Sequence, residues 1–596
     1  MKPKKKLVFV QLPIPRLAIT REDHNLPVAA LVLQAYLQEQ PIAKHVDIQL
    51  LDPDLQNYGS DETILREILK LAPDVVGLSL YCWNVERSLY LAEQIKRASS
   101  SAAGASGPLL VAGGPEVTPD NNLLGHTAID VYVYGEGEYP VKLLLEASIN
   151  QKEWAEKMFD NIPGTMFVQN SVWRVNPPQR QAVDLNQTTP AYLKNLVPRA
   201  NWNEMFVETM RGCPFACRFC YYNKNCGGLR YLDCETVLQL VRYARDQQYR
   251  ELFLLDPCFN LRPDLEMLLG HIALINADRQ VKIATELRAD MIDDHLAQLL
   301  ADAGFSEVEV GLQSIHTETM QQIGRRHNLD QFLRGCHAML VRGIATKVDL
   351  IVGLPGDTLE KFKQSARWVK REGLAEDLQV FCLSVLPGTF FRAHAEELGL
   401  RYSPLPPYYL LSAPDWPAED ITTAFSWAED YFGMSFEPDL EEECTLQPVL
   451  DGRFQEILQL DPSHPCQLPG ATTSITKWVI GPILKADDLF THLPVMQHYT
   501  KNNPYSIYHV YIELQQEIPL DALFDFYPAF TLLKQQFIDR DLSVLSVDAT
   551  AIFHYQIQIL LKTSMLSRFS QQYLAALQQH FPVEMVGTNA EVKDEL

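Results

Sequence analysis

The sequence predicts an α/β protein in three parts: an N-terminal doubly wound domain over residues 1–150, a partial (β/α)6 barrel over 203–402, and a small C-terminal α+β accessory domain over 403–596. Residues 151–202 are expected to form a linker with a short hairpin. Three observations lead there. The 596 residues exceed what one hydrophobic core serves. Continuous apolar runs alternate with amphipathic ones before residue 150 and again between 203 and 402. Between and after those stretches the rhythm is lost.

In the first stretch the expected strands are "LVFVQL" (7–12), "VDIQLLD" (46–52), "DVVGLSLY" (74–81), "PLLVAGG" (108–114) and "DVYVYGE" (130–136). "PVAALVLQAYLQ", "DETILREILKLA" and "VERSLYLAEQIKRA" between them carry helical periodicity. Apolar strands joined by amphipathic helices imply a parallel sheet covered on both faces, with ligands at the strands' carboxyl ends. "NIPGTMFVQNSVWRVNPPQRQAVDLNQTTP" then brings turn chemistry. The second stretch offers six strands, "MFVETM", "ELFLLD", "VKIATEL", "EVEVGLQ", "TKVDLIVGL" and "LQVFCLSV", with helices such as "ETVLQLVRYARDQQ" and "TLEKFKQSARWVKREG". A barrel of this kind places its site where strands run into the following loops. Beyond 415, strand-like "YSIYHVYIEL" and "TAIFHYQIQILL" mix with helical "SRFSQQYLAALQQHF"; the aromatic residues there (Tyr505, Tyr508, Tyr511, Phe524, Phe526) read as core.

Composition narrows the partners. Hydrophobic residues at 47% and charged residues at 21% suit a folded protein. A net charge of −24 opposes binding to nucleic acid or to an anionic membrane. No apolar run reaches the roughly 18 residues of a membrane span. "LVFVQLP" reads as a first strand rather than a signal peptide, and the final "KDEL" as an acidic tail rather than an address. Eleven cysteines, mostly isolated, point to reduced thiols in a cytoplasmic protein.

Three of those cysteines are not isolated. "RGCPFACRFCYY" (211–222) places Cys213, Cys217 and Cys220 just after the first barrel strand. A structural zinc site is one reading, with Cys226 as fourth ligand. The spacing of three and then two differs from the paired two-residue gaps usual for zinc. Three thiolates suit a [4Fe-4S] cluster that keeps one iron open to a small molecule.

Cys213-x3-Cys217-x2-Cys220, with Phe219 before the last cysteine, resembles the motif of the radical S-adenosylmethionine (SAM) family. The resemblance implies that these cysteines hold a [4Fe-4S] cluster that binds and reductively cleaves SAM, fed by a reductant such as flavodoxin or ferredoxin. "IATELRAD", "VEVGLQSIHTETMQQIGRRHN", "VDLIVGLPGDT" and "SVLPGT" are similar to the barrel core of oxygen-independent coproporphyrinogen oxidases and their relatives. By that likeness Glu286, Gln313, Ser314, Arg325 and Asp349 contact the methionine and ribose parts of SAM, and Gly353 and Gly356 let backbone approach the adenine. Arg326 competes with Arg325 for the carboxylate clamp, a task that suits a guanidinium. Asp256 and Cys258 stand at the second strand's end, where many relatives carry a glycine-rich pair.

A doubly wound, Rossmann-like domain ahead of such a barrel resembles the cobalamin-binding domain of the cobalamin-dependent radical SAM class. Ser79 and Tyr81 in "GLSLYCWN", Gly113 and Gly114 in "VAGGPEV", and Gly135 and Glu136 in "GEGE" carry the match. The Asp-x-His-x-x-Gly motif that supplies a cobalt ligand is missing; "REDHNLP", with Asp23 and His24 adjacent, is the nearest segment. The likeness implies methylation of an unactivated carbon or phosphorus in a small-molecule or peptide substrate. It leaves open a rearrangement, cyclisation or oxidation, or a corrin- or haem-binding sensor or chaperone.

Overall fold

The computed structural model describes residues 3–17, 25–100, 107–125, 128–149, 156–178, 182–197, 203–222, 228–326, 328–436, 457–464, 473–526, 528–530, 534–544 and 552–586. His24, Cys226 and residues 587–596 lie outside that set. No helix among the described residues is long and apolar enough to cross a membrane.

The first sheet contains β1 (Lys5–Val10), β2 (Val46–Leu50), β3 (Val75–Ser79), β4 (Leu109–Gly113), β5 (Val131–Val133), β6 (Thr165–Gln169) and β7 (Val172–Val175), in the order β2-β1-β3-β4-β5-β6-β7. The first five strands are parallel. The hairpin expected in the linker is β6–β7, which pairs antiparallel with β5 and so extends this sheet. Alternate residues feed two cores. Leu7, Phe9 and Val75 pack with Ala30, Leu37, Val141 and Leu144 of helices Val28–Glu39 and Glu138–Ile149. Val8, Val10, Val76 and Leu78 pack with Ile64, Ile68, Val85 and Leu89 of helices Asp61–Leu71 and Val85–Ser100. Apolar residues are needed on both faces, which is why these strands show no alternation. Strand order reverses between β1 and β3, the place where such sheets open a crevice.

The barrel comprises β8 (Glu204–Val207), the short pair β9 (Met210–Arg211) and β10 (Arg230–Tyr231), then β11 (Glu251–Leu254), β12 (Lys282–Glu286), β13 (Phe305–Gln313), β14 (Ala345–Val352) and β15 (Leu378–Cys382). β8 and β11–β15 form one six-stranded parallel sheet in sequence order. Between them, helices begin where a side chain caps the first turn: Asp233 accepts from the Thr236 amide, Asp293 from Leu296 and Thr358 from Lys361.

After the hairpin of β16 (Arg401–Tyr402) and β17 (Leu410–Ser412), the C-terminal region differs from the α+β mixture expected. β18 (Ile457–Leu460), β19 (Ile475–Ile483), β20 (Ile507–Leu514), β21 (Tyr555–Lys562) and β22 (Val583–Val586) are parallel throughout and lie in sequence order, an α/β layer. Of its crossover helices, Gln571–His580 lies in the helical "SRFSQQYLAALQQHF", whereas Leu493–Asn502 and Leu520–Phe526 were not anticipated. Tyr508, Tyr511 and Phe526 are buried as expected, whereas Phe524 is exposed, with its ring edge-on to His580. This domain is clamped to the first one. Asp61 accepts from both Arg87 (2.6 Å) and the Tyr505 amide (3.1 Å), and Arg540 pairs with Glu86.

Candidate functional site

The β9–β10 pair closes the base of the cysteine loop. A side chain at Gly212 (φ +92°) would stand 2.5 Å from the Gly228 carbonyl oxygen, so the two backbones meet only because the residue is glycine. Asp256, fully buried, holds the same corner by accepting from the amides of Thr209 (2.7 Å) and Met210 (2.8 Å). Cys213, Cys217 and Cys220 line one cavity of about 1270 Å³ at the carboxyl ends of the barrel strands. All three are free thiols; burial raises the pKa of Cys213 and pushes that of Cys220 up to about 11. Metal binding would therefore displace protons. Among the described residues no three Cys, His, Asp or Glu side chains converge closely enough to hold one ion.

The opposite wall comes from β12, β13 and β14. Glu286, Gln313, Arg325 and Asp349 line the cavity with the cysteines. Gln313 stands at a register shift after Gly311 with φ +68°, a strained conformation for a non-glycine residue. Arg325 donates through Nη2 to the Gly311 carbonyl (2.6 Å), and its Nη1 lies 4.0 Å from Cys217 Sγ. Gln313 Oε1, Arg325 Nε and Asp349 Oδ1 are buried without a hydrogen-bond partner. Buried polar atoms are seldom left so, and three around one cavity mark a ligand's place. Burial, with Glu309 and Asp256 nearby, pushes the pKa of Glu286 up to about 7; burial and the carboxylates of Glu309 and Glu286 raise that of Asp349. A cationic ligand would relieve this crowding of acids.

Other expected residues fall outside the cavity. Ser314 Oγ accepts from the His316 amide (3.3 Å), Gly353 (φ +94°) packs on Leu410, and the Gly356 amide donates to Asp415 (3.3 Å). Arg326 is exposed, so Arg325 is the arginine that faces the cysteines. Glu309, Arg288 and Tyr409 also line the site and had not been singled out. Glu309 was legible in principle, because 309, 311 and 313 share one face of β13.

A second cavity, about 1730 Å³, opens at the carboxyl ends of the first sheet. Ser79, Tyr81, Gly113, Gly114, Gly135 and Glu136 all line it. It continues between the sheet and helices Val28–Glu39 and Glu138–Ile149, past Phe9, Gly77, Val111 and Val141. The cavity is thus lined by glycines and polar side chains at the strand ends and by apolar side chains within the layer. Gly114 (φ +110°) lies against Leu80, whose carbonyl oxygen would be 2.5 Å from an added Cβ. No histidine lines this cavity among the described residues.

Tyr222 lines both cavities, its hydroxyl donating to the Leu255 carbonyl (2.9 Å). Around that junction the domains are tied together. Arg211, two residues before Cys213, bonds Glu138 (2.8 Å), Glu136 (3.3 Å) and Glu208 (2.7 Å). Arg230 also takes Glu136, so this carboxylate, expected to touch a cofactor, is spent on docking. Tyr408 donates to Glu116 (2.5 Å), and Asp120 accepts from the Gly388 amide (3.0 Å).

A family model of the Radical SAM superfamily matches residues 207–369, and one of the B12 binding domain matches residues 17–145. This chain carries a radical SAM domain and a B12 binding domain. The radical SAM protein is 27% identical over 426 residues to the cobalamin-dependent radical SAM methyltransferase TokK of Streptomyces tokunonensis, covering 67% of this chain and 59% of that one. It is 24% identical over 420 residues, with the same coverage of 67% and 59%, to the 2-(S-pantetheinyl)-carbapenam-3-carboxylate methyltransferase of Streptantibioticus cattleyicolor. The chain thus spans 59% of the length of each of these relatives. It shares its fold with the radical SAM methyltransferase TsrM of Kitasatospora setae, solved with cobalamin and a [4Fe-4S] cluster bound (TM-score 0.54, 19% identity, 67% of this chain and 76% of that one). The cobalamin-dependent radical enzyme OxsB, solved with aqua-cobalamin, is similar at TM-score 0.57, 16% identity, and 72% and 67% coverage. The cofactors of the radical SAM protein are those of its two domains, a [4Fe-4S] cluster with SAM and cobalamin, and the two cavities suit them.

Proposed function

We propose that this protein is a cobalamin-dependent methyltransferase that methylates an unactivated carbon, or phosphorus, of a small-molecule or peptide substrate. The observation that carries the reading is the junction at Tyr222, where the cysteine cavity and the strand-end cavity meet. When bound, the cluster with SAM supplies a hydrogen-abstracting radical, and the corrinoid supplies a methyl group. Cys213, Cys217 and Cys220 ligate the cluster. Arg325 and Gln313 clamp the SAM methionyl carboxylate and its neighbouring atoms, while Glu286 and Asp349 face its ammonium and ribose. Gly113 leaves room for the corrinoid, Gly114 lets the strand end pack on the Leu80 backbone beside it, and Ser79 and Tyr81 line the same floor. The C-terminal domain closes the barrel mouth through Asp541 and Tyr409, which keeps water from the reacting atoms.

The test uses anaerobically reconstituted protein with SAM carrying a labelled methyl group, dithionite, cobalamin and the small-molecule fraction of the source cell. Formation of 5′-deoxyadenosine together with label in a new product is expected. Deoxyadenosine without label in product would instead favour a rearrangement, cyclisation or oxidation. Cys217→Ala is expected to lose both the visible iron–sulfur absorption and deoxyadenosine formation; reductive SAM cleavage by that variant would overturn the ligand assignment.

A further inference from the structure

Reductive SAM cleavage needs one electron from outside the protein, and the fold leaves one side open for it. The first domain covers the cysteine cavity through Glu116 and Asp120, which take Tyr408 and the Gly388 amide, and the C-terminal domain approaches it through Asp541, which takes Tyr409. The cysteine loop itself faces solvent. Pro214 and Ala216 are exposed, as is Gly324, which packs against the loop: a Cβ there would stand 2.8 Å from the Ala216 carbonyl oxygen. A single layer of chain therefore separates the cysteines from anything docked on this face.

That face is basic in a chain of net charge −24. Arg218, between Cys217 and Cys220, is held in place by its bond to the Gln322 carbonyl (3.0 Å) and by the Phe390 ring 4.5 Å beneath it. Arg392, two residues from Phe390, lies over Tyr402 and Tyr408 at 4.5 and 5.0 Å. Arg326 follows the Gly324 turn and is exposed. None of the three guanidinium groups forms an ion pair with a described carboxylate, unlike Arg211, Arg230, Arg262 or Arg288. Of the carboxylates on this side, Asp120 accepts from Thr118 Oγ1 (2.6 Å) and the Gly388 amide, Glu318 pairs with Lys361 (3.3 Å), and Glu116 takes Tyr408 and feels the charge of Arg392, while Glu396 and Glu397 are exposed beyond Arg392. Arg218, stacked on the partly exposed Phe390 ring, and the exposed Arg326 thus give the cysteine-loop face two guanidinium groups without an ion-pair partner among the described residues.

We infer that this patch is the docking surface for an acidic one-electron carrier protein, with Arg218 and Arg326 steering its approach. The inference rests on the reading of the three cysteines as a SAM-cleaving cluster. The carrier is oxidised by one electron, and the C5′–S bond of SAM breaks to give methionine and a 5′-deoxyadenosyl radical, so charge and atoms balance. Complementary charge of this kind acts on the association rate and is screened by salt.

The experiment compares two electron sources on the full reconstituted protein, reading 5′-deoxyadenosine. One is dithionite, small enough to need no docking; the other is a flavodoxin kept reduced by NADPH and its reductase. Arg218→Glu/Arg326→Glu is expected to lower the flavodoxin-driven rate about tenfold and to leave the dithionite-driven rate within about twofold. Added salt should slow the flavodoxin-driven reaction of the unaltered protein and have little effect on that of the double variant. Should the double variant lose dithionite-driven cleavage, Arg326→Glu alone, outside the cysteine loop, decides with an expected loss of about threefold. An unchanged flavodoxin-driven rate in whichever variant retains dithionite-driven activity overturns the docking surface. Absence of dithionite-driven cleavage in the unaltered protein would instead overturn the underlying reading of the cluster.

Discussion

Tyr409, in the hairpin that follows the barrel, donates its hydroxyl to Asp541, 132 positions further on in the C-terminal domain. Tyr409 lines the cysteine cavity, and Asp541 belongs to the helix Phe537–Ser543. The same helix sends Arg540 to Glu86 of the first domain and to the Pro406 carbonyl (2.6 Å) of the barrel's hairpin. All three domains thus converge on the barrel mouth. Burial raises the pKa of both partners. Asp541→Ala strands the phenol without its acceptor and is expected to cost about 1–3 kcal/mol in urea unfolding. Asp541→Asn retains an acceptor oxygen and should cost less. A double-mutant cycle with Tyr409→Phe isolates the coupling.

Arg211 joins the cysteine loop to the first domain more firmly than any single hydrogen bond could. Its guanidinium meets three carboxylates, and their negative charge raises its pKa although burial alone would lower it. Arg211→Ala leaves Glu138, Glu136 and Glu208 without this cation in a buried setting. The expected loss is about 3–5 kcal/mol, the usual result of removing one partner of a buried ion pair. Arg211→Lys should recover part of it, because a point charge replaces the fork but cannot bond three carboxylates at once. Chemical denaturation at low and high salt checks both the size of the loss and its expected insensitivity to screening.

Two neighbouring glycines separate cofactor space from backbone need. A Cβ on Gly113 would meet nothing closer than the Val133 carbonyl oxygen at 3.4 Å, whereas one on Gly114 would strike Leu80 at 2.5 Å with φ at +110°. Gly113→Leu is therefore expected to preserve the thermal midpoint and to lower cobalamin retention at least tenfold after desalting. Gly114→Leu should lower the midpoint itself. Equal retention by the Gly113→Leu protein would remove the corrinoid from this cavity.

The two parallel sheets were legible because strands of the first domain are apolar on both faces and helices such as Val85–Ser100 and Leu359–Arg371 are long enough to show their period. The cysteine loop was legible from spacing alone. Ser314 and Gly353 illustrate the limit: their sequence neighbours Gln313 and Val352 end strands that form the cavity wall, but one residue of offset turns a side chain to the other face. Glu136 shows another limit, since the arginines that claim it lie 75 and 94 positions away. The parallel C-terminal sheet was not legible because "YSIYHVYIEL", "TAIFHYQIQILL" and one helical run show elements without showing how the strands pair.

The acidic wall predicts how stability depends on pH. Burial and the neighbouring Glu309 and Glu286 push the Asp349 carboxyl up to about 9 in the folded protein, against a value near 3.9 for an unstrained aspartate. Between those values the folded state holds a proton that the unfolded state has released, so the unfolding free energy falls as pH rises. The slope from one such group is at most about 1.4 kcal/mol per pH unit. Facing Asp349 are Glu286, itself raised to about 7, Glu309 on β13, and Arg325, which opposes the shift. Farther along the same strands, Lys347 neutralises Glu307 at 2.5 Å. Asp349→Asn keeps the shape and removes the titration. Metal-free Asp349→Asn protein should therefore show a shallower slope between pH 5 and 8, its stability relative to the unaltered protein being greater at pH 8 than at pH 5, measured by urea unfolding at each pH. If both proteins lose stability at the same rate from pH 5 to 8, Glu309 and Glu286 hold the proton instead. SAM, bringing a sulfonium and an ammonium into the same wall, should raise stability most at the alkaline end, where the carboxylates are charged and unpaired.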